Sequence, residues 1–151
     1  MSDIMIHSFS ATSRRILICE DNRLIAMGWA VILASAGYQV VGPVHGAEKA
    51  LELAYKDLPD LALIDIALGG TIDGISVAAE LAPLGTSVIF VTADYQRAAV
   101  EGREWATDIL IKPVAETTVL HSVALALQNR QEVDQGGAVA KSDLACVERL
   151  P

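Results

Sequence analysis

Glu20 and Asp21 are neighbours directly behind the apolar run RILIC (15–19), and two adjacent carboxylates repel each other unless a cation neutralises them. Other polar groups punctuate apolar runs in the same way. Asp65 closes LALID (61–65), Thr92 closes SVIFVT (87–92), and Lys112 follows DILI (108–111) and precedes Pro113. Brought together, three acids, a hydroxyl and an amine make a site for a hard cation, and an all-oxygen donor set favours magnesium. Taken as fully charged, the acids and Lys112 sum to about −2 alone and about 0 with a divalent ion. A carboxylate in such a pocket suits phosphoryl transfer, which needs an in-line nucleophile and charge neutralisation more than covalent help. Each residue alone has a plainer reading as a helix cap or turn residue. The recurrence of the pattern at the ends of separate apolar runs argues against coincidence.

The elements that must position these groups alternate along the chain. Five short runs, RILIC, YQVVG (38–42), LALID, SVIFVT and DILI, read as strands too apolar to have a wet face. Between and after them, three-and-four spacing of apolar residues predicts helices over 22–36, 46–57, 73–82, 95–104 and 115–130. Gly37 follows the first helix as a stop, and Pro59 follows the second. Such an alternation predicts an α/β fold, a five-stranded parallel sheet doubly wound with helices on both faces. In that architecture ligands bind outside the carboxyl ends of the strands, where strand order reverses. All the groups named above fall at those ends.

Length and composition limit the alternatives. A chain of 151 residues suits one core, and with 52% hydrophobic but 5% aromatic residues that core is aliphatic and alanine-rich. A net charge of −8 with eleven scattered basic residues excludes a nucleic-acid surface. The sequence holds no run near the roughly 20 apolar residues of a membrane span, so the expectation is a cytoplasmic protein. Cys19 and Cys146 are expected to be reduced thiols, without zinc-like spacing. His7, His45 and His121 are isolated and receive no role, and Trp29, among Ile25, Val31 and Leu33, is expected to pack. Residues 131–141 read as a linker, and SDLACVERLP as one short helix with Leu144, Val147 and Leu150 on one side.

The motif set resembles the receiver domains of two-component response regulators over about residues 14–130. Its parts are Glu20-Asp21, Asp65, the Asp73-Gly74 pair, Thr92 with Ala93, and Lys112–Pro113. The resemblance implies a flavodoxin-like strand order of 2-1-3-4-5. It implies that Asp65 accepts a phosphoryl group from the phosphohistidine of a sensor histidine kinase or histidine phosphotransfer protein. It further implies Mg2+ held directly by Asp21 and Asp65 and by the backbone carbonyl of Ala67, with Glu20 acting through water. Thr92 and the Ala93 amide would hydrogen-bond the added phosphoryl oxygens, Lys112 would hold another, and the Lys112–Pro113 bond would be cis. Intrinsic magnesium-dependent autophosphorylation and dephosphorylation would follow, without a wider enzymatic role.

Departures from the family pattern sharpen the expectation. Ile109 occupies the position three before the lysine where many receivers carry Tyr or Phe, and Trp105 replaces a common glycine. The loop through Gly69 and Gly70 lacks a usual proline. FVTADY (90–95) is similar to the F-A-T-G-x-Y motif of an alphaproteobacterial subfamily often made of single-domain regulators. A signal switch through Thr92 and Tyr95 is therefore expected. The organisation predicted is an N-terminal extension (1–13), a receiver domain (14–130) and a linker with a short tail (131–151). About 20 residues after the fifth helix are too few for an output module. Output would come from contact with a downstream regulator, with the protein a monomer or weak homodimer. A haloacid-dehalogenase-type phosphatase needs a second Asp where Ala67 stands, and an FMN binder needs a phosphate loop where the acid pair stands. A degenerate receiver acting as a phosphorylation-independent binding module is the remaining alternative.

Overall fold

The computed structural model describes residues 13–135. His7, Cys146, the extension before residue 13 and the expected tail helix lie outside the described residues. The strands are β1 (Arg15–Cys19), β2 (Gln39–Val44), β3 (Leu61–Ile64), β4 (Ser87–Thr92) and β5 (Asp108–Ile111). The helices are α1 (Arg23–Ser35), α2 (Ala47–Lys56), α3 (Gly74–Leu81) and α5 (Glu116–Gln135), with an irregular α4 over residues 95–105 between β4 and β5. All strand pairs are parallel, in the order β2-β1-β3-β4-β5.

Side chains alternate across a strand, so each unbroken apolar run feeds two cores. Ile16 and Ile18 face α1 and α5, where they join Ala26, Trp29, Leu33, Val119 and Val123. Leu17 and Cys19 face the opposite layer, where Ala50, Ala54, Val77, Leu81, Phe90 and Ala98 pack. Alanines on the helices let them approach the sheet closely, consistent with the aliphatic composition.

The edges depart from the expectation of strands buried on both sides. In β2 only Val44 is buried, and in β5 only Leu110 is, while Ile111 is 51% exposed. An edge strand has a neighbour on one side only, and the covering helices reach it incompletely. β2 also runs to Val44, two residues past the expected end and through Pro43. A proline is tolerated there because its missing N–H faces no partner strand. Gly42 takes φ +91°, and the register against β1 shifts between Leu17 and Cys19, which marks a bulge.

Two helices also differ from their expected form. The stretch read as one helix over 95–104 is α-helical only from Tyr95 to Arg97, then widens to a π turn (Ala98–Gly102) and tightens to a 3-10 turn (Arg103–Trp105). Gly102 lies so close to the sheet that an added Cβ would be 2.6 Å from Phe90 Cε2. Helix α5 is described as far as Gln135, five residues into the stretch read as a linker.

Candidate active site at the carboxyl ends of the strands

The sheet ladder carries the site residues one step past the strand ends. The Glu20 amide donates to the Val44 carbonyl at 3.0 Å, the Asp65 amide to Cys19 at 2.9 Å, and the Lys112 amide to Thr92 at 2.9 Å. Three strands thereby fix three backbones, and the side chains meet. Lys112 Nζ lies 2.9 Å from Asp65 Oδ2 and 2.7 Å from Glu20 Oε1. Carboxylate oxygens of Glu20, Asp21 and Asp65 all lie within 4.8 Å of one another.

The adjacent acids differ sharply. Glu20 is fully buried, whereas Asp21 is exposed at the mouth. Burial pushes the Glu20 carboxyl up to about 7, against the opposing effects of Lys112 and of the Asn22 amide, which donates to Oε2 at 2.9 Å. Burial draws the Lys112 ammonium down, but its contacts with Glu20 and Asp65 outweigh that and its pKa is raised. Glu20 Oε1 touches the ammonium as an ion pair, yet no donor meets it at a hydrogen-bonding angle. Oxygens of Glu20, Asp21 and Asp65 within 4.8 Å of one another form an all-oxygen donor set that fits magnesium. Cys19 lies beneath the acids, where burial and then their charges push its thiol up to about 12. It is an inert core residue rather than a nucleophile.

The surrounding loops hold the remaining residues. The Ala67 amide donates to Asp65 Oδ1 at 3.2 Å, so the loop after β3 wraps around the carboxylate. Thr92 is buried, and its Oγ1 accepts from the Asp94 amide at 3.0 Å, with Ala93 exposed between them. Tyr95 begins α4, 40% exposed, and its Oη accepts from Arg103 Nη2 at 3.0 Å. The Lys112–Pro113 bond is cis, as is Gly42–Pro43, which the sequence reading did not foresee.

Several contacts around the site go beyond the sequence reading, which named the Asp73-Gly74 pair but not what it touches. Gly74 follows the N-cap Asp73, whose carboxylate accepts from the Ser76 amide at 3.1 Å and pairs with Arg97. Burial works upward on Asp73, but Ser76 and Arg97 outweigh it and hold the carboxyl below its ordinary value. A Cβ on Gly74 would fall 2.3 Å from the Asp65 carbonyl oxygen. The Asp-Gly pair in the sequence signals this cap and close approach, although not the ion pair to Arg97. His45 Nδ1 lies 2.9 Å from the Glu20 carbonyl oxygen, which can only accept, so Nδ1 carries the hydrogen. Nothing in the local sequence singles out His45. Trp29 packs as expected, and its ring also faces Lys112, with Nζ 6.0 Å from the centroid.

A model of the response regulator receiver domain matches residues 16–124. The chain belongs to this receiver family. The transcriptional regulatory protein PdtaR of Mycobacterium tuberculosis is 34% identical over 127 residues, 82% of this chain and 62% of that protein. The chain thus spans less than two thirds of that relative's length. A CheY-like receiver from Methanospirillum hungatei superimposes with TM-score 0.73 at 25% identity, over 80% of this chain and 98% of that one. The receiver domain of PhyR from Erythrobacter litoralis gives 0.70 at 32% identity, over 76% of this chain and 90% of that one. Receiver domains generally serve as signalling phosphoacceptors, and the acidic group found here has the composition of a receiver's magnesium pocket. No described helix is long and apolar enough to cross a membrane.

Proposed function

We propose that the protein is a cytoplasmic phosphoacceptor that takes a phosphoryl group onto Asp65 from a phosphohistidine of a sensor kinase or phosphotransfer protein. The observation that carries this reading is Lys112 Nζ bridging Asp65 and Glu20 at 2.9 and 2.7 Å. An Asp65 oxygen attacks phosphorus as the P–N bond breaks, and the leaving imidazole nitrogen keeps the electron pair and takes up a proton. Lys112 then exchanges its contact with Asp65 for a phosphoryl oxygen, and Thr92 and the Ala93 amide donate to others. Asp21, Asp65 and the Ala67 carbonyl would hold magnesium, with Glu20 through water, and the ion supplies the positive charge that offsets the incoming oxygens. The test is phosphoryl uptake from phosphoramidate, read by intact mass. Uptake with magnesium and none after chelation is expected, and no uptake in either condition contradicts the reading.

Metal binding discriminates between the two acids. Asp21→Ala loses a direct anionic ligand and is expected to weaken magnesium binding by more than about 100-fold, Glu20→Ala by about tenfold. Calorimetric titration measures both, and equal losses would contradict the assigned shells.

The FVTADY stretch and the aliphatic Ile109 support membership of the F-A-T-G-x-Y-like subfamily, with signalling through Thr92 and Tyr95. Ile109 is partly buried against the core and has no ring to flip. Turning the Thr92 hydroxyl toward a phosphoryl oxygen removes the acceptor of the Asp94 amide and loosens the start of α4. The loosened turn carries Tyr95 with it to a downstream regulator. Hydrogen exchange at the Asp94 and Tyr95 amides is expected to speed up on phosphorylation while β5 stays unchanged. Faster exchange in β5 with none at Asp94 would place the switch elsewhere.

A further inference from the structure

We propose that Trp29 is a positioning residue for Lys112, its indole face keeping the ammonium at the rim of the acid pocket. The inference rests on the phosphoacceptor reading and adds a residue to that site. Trp29 sits on α1 at 5% exposure, and Lys112 Nζ lies over its ring at 6.0 Å from the centroid. That distance is the outer reach of attraction between a cation and an aromatic face, and indole is the strongest of the natural faces. The same ring walls a groove of about 410 Å³ together with Ile25, Lys112, Pro113 and Val114.

The groove gives the lysine a way out. Lys112 has a flexible four-carbon stem, and its side chain is 20% exposed. On the pocket side it meets Glu20 and Asp65; on the groove side it meets the indole. A smaller apolar residue at position 29 would widen the groove and offer the ammonium a wet alternative to the pocket. The indole narrows that exit and attracts the charge at the same time. During transfer Lys112 must leave Asp65 Oδ2 for a phosphoryl oxygen. A ring face suits this step because its attraction is spread over the surface, whereas a hydrogen bond would have to break. Among the described residues no other cation lies over an aromatic ring near the site.

Two variants separate the ring from its bulk. Trp29→Phe retains an aromatic face and is expected to take up phosphoryl from phosphoramidate within about twofold of the parent. Trp29→Leu retains apolar packing alone and is expected to be roughly three- to tenfold slower. Trp29→Leu protein reacting as fast as the parent overturns the proposal, as does failure of Trp29→Phe to react faster than Trp29→Leu. A second measurement needs no phosphorylation. The chain has two tryptophans, so Trp105→Phe leaves Trp29 as the sole tryptophan emitter. In that background Lys112→Met is expected to shift the emission, because a charge beside the ring is removed, while Lys56→Met is not. Absence of the Lys112→Met shift overturns the proposal. Should the parent take up no phosphoryl group, the phosphoacceptor reading fails and the emission result alone decides the role of Trp29. The same holds if Trp29→Leu does not fold.

Discussion

Replacing Asp65 by Asn is expected to abolish phosphoryl uptake from phosphoramidate while leaving the fold intact. The amide is nearly the same size as the carboxylate but lacks the charged oxygen that attacks phosphorus. Glu20 and Lys112 do not substitute for it: Glu20 is buried beneath with its carboxyl pushed up to about 7, and an ammonium has no lone pair to offer. Stability is expected to hold or rise, since Asp65 and Glu20 share one pocket and removing one of two like charges relieves their repulsion. Intact mass reads uptake, and thermal melting reads the fold. Labelling of Asp65→Asn protein at the parental rate would show that another residue is the acceptor. A melt far below the parent's would show that the carboxylate holds the pocket together.

Gly74→Ala is expected to destabilise the domain by about 2–3 kcal/mol and to suppress uptake without touching a charged group. The new methyl carbon would lie 2.3 Å from the Asp65 carbonyl oxygen, 2.8 Å from Ile66 Cα and 2.8 Å from Ile64 Cγ2. Two of those atoms are backbone at the end of β3 and cannot swing aside as a long side chain would. Relief requires moving the peptide that carries the acceptor, and Asp65 moves with it. A loss of this size is a large part of the roughly 5–15 kcal/mol that holds a domain folded. Gly28→Ala is the control: it lies within α1 with nothing within 4 Å of the added carbon, and alanine there is expected to stabilise by about 1 kcal/mol. Chemical denaturation measures both. Equal stability and uptake for Gly74→Ala and the parent would mean that the close approach is not retained in solution.

The amino-acid sequence determined the order of elements, the parallel sheet and the set of groups at its edge. Its evidence is local: runs of four to six apolar residues for strands, three-and-four spacing for helices, and polar residues where the runs stop. Parallel strands all end on the same side, so strand-end position alone gathers Glu20, Asp65, Thr92 and Lys112. The tertiary structure decided what depends on neighbours distant in sequence. Nothing in the Glu20-Asp21 pair says which acid is buried; the strand direction turns one inward to Lys112 and leaves the other at the mouth. Nothing in YQVVG or DILI says that these runs form edges, because exposure of an edge reflects a missing neighbour rather than its own composition. The π turn in α4 and the contact between Gly74 and the Asp65 carbonyl arise where two elements press together. Trp29 follows the same rule: helical spacing places it in the core, but only the tertiary fold brings its ring to Lys112, 83 residues away in the chain.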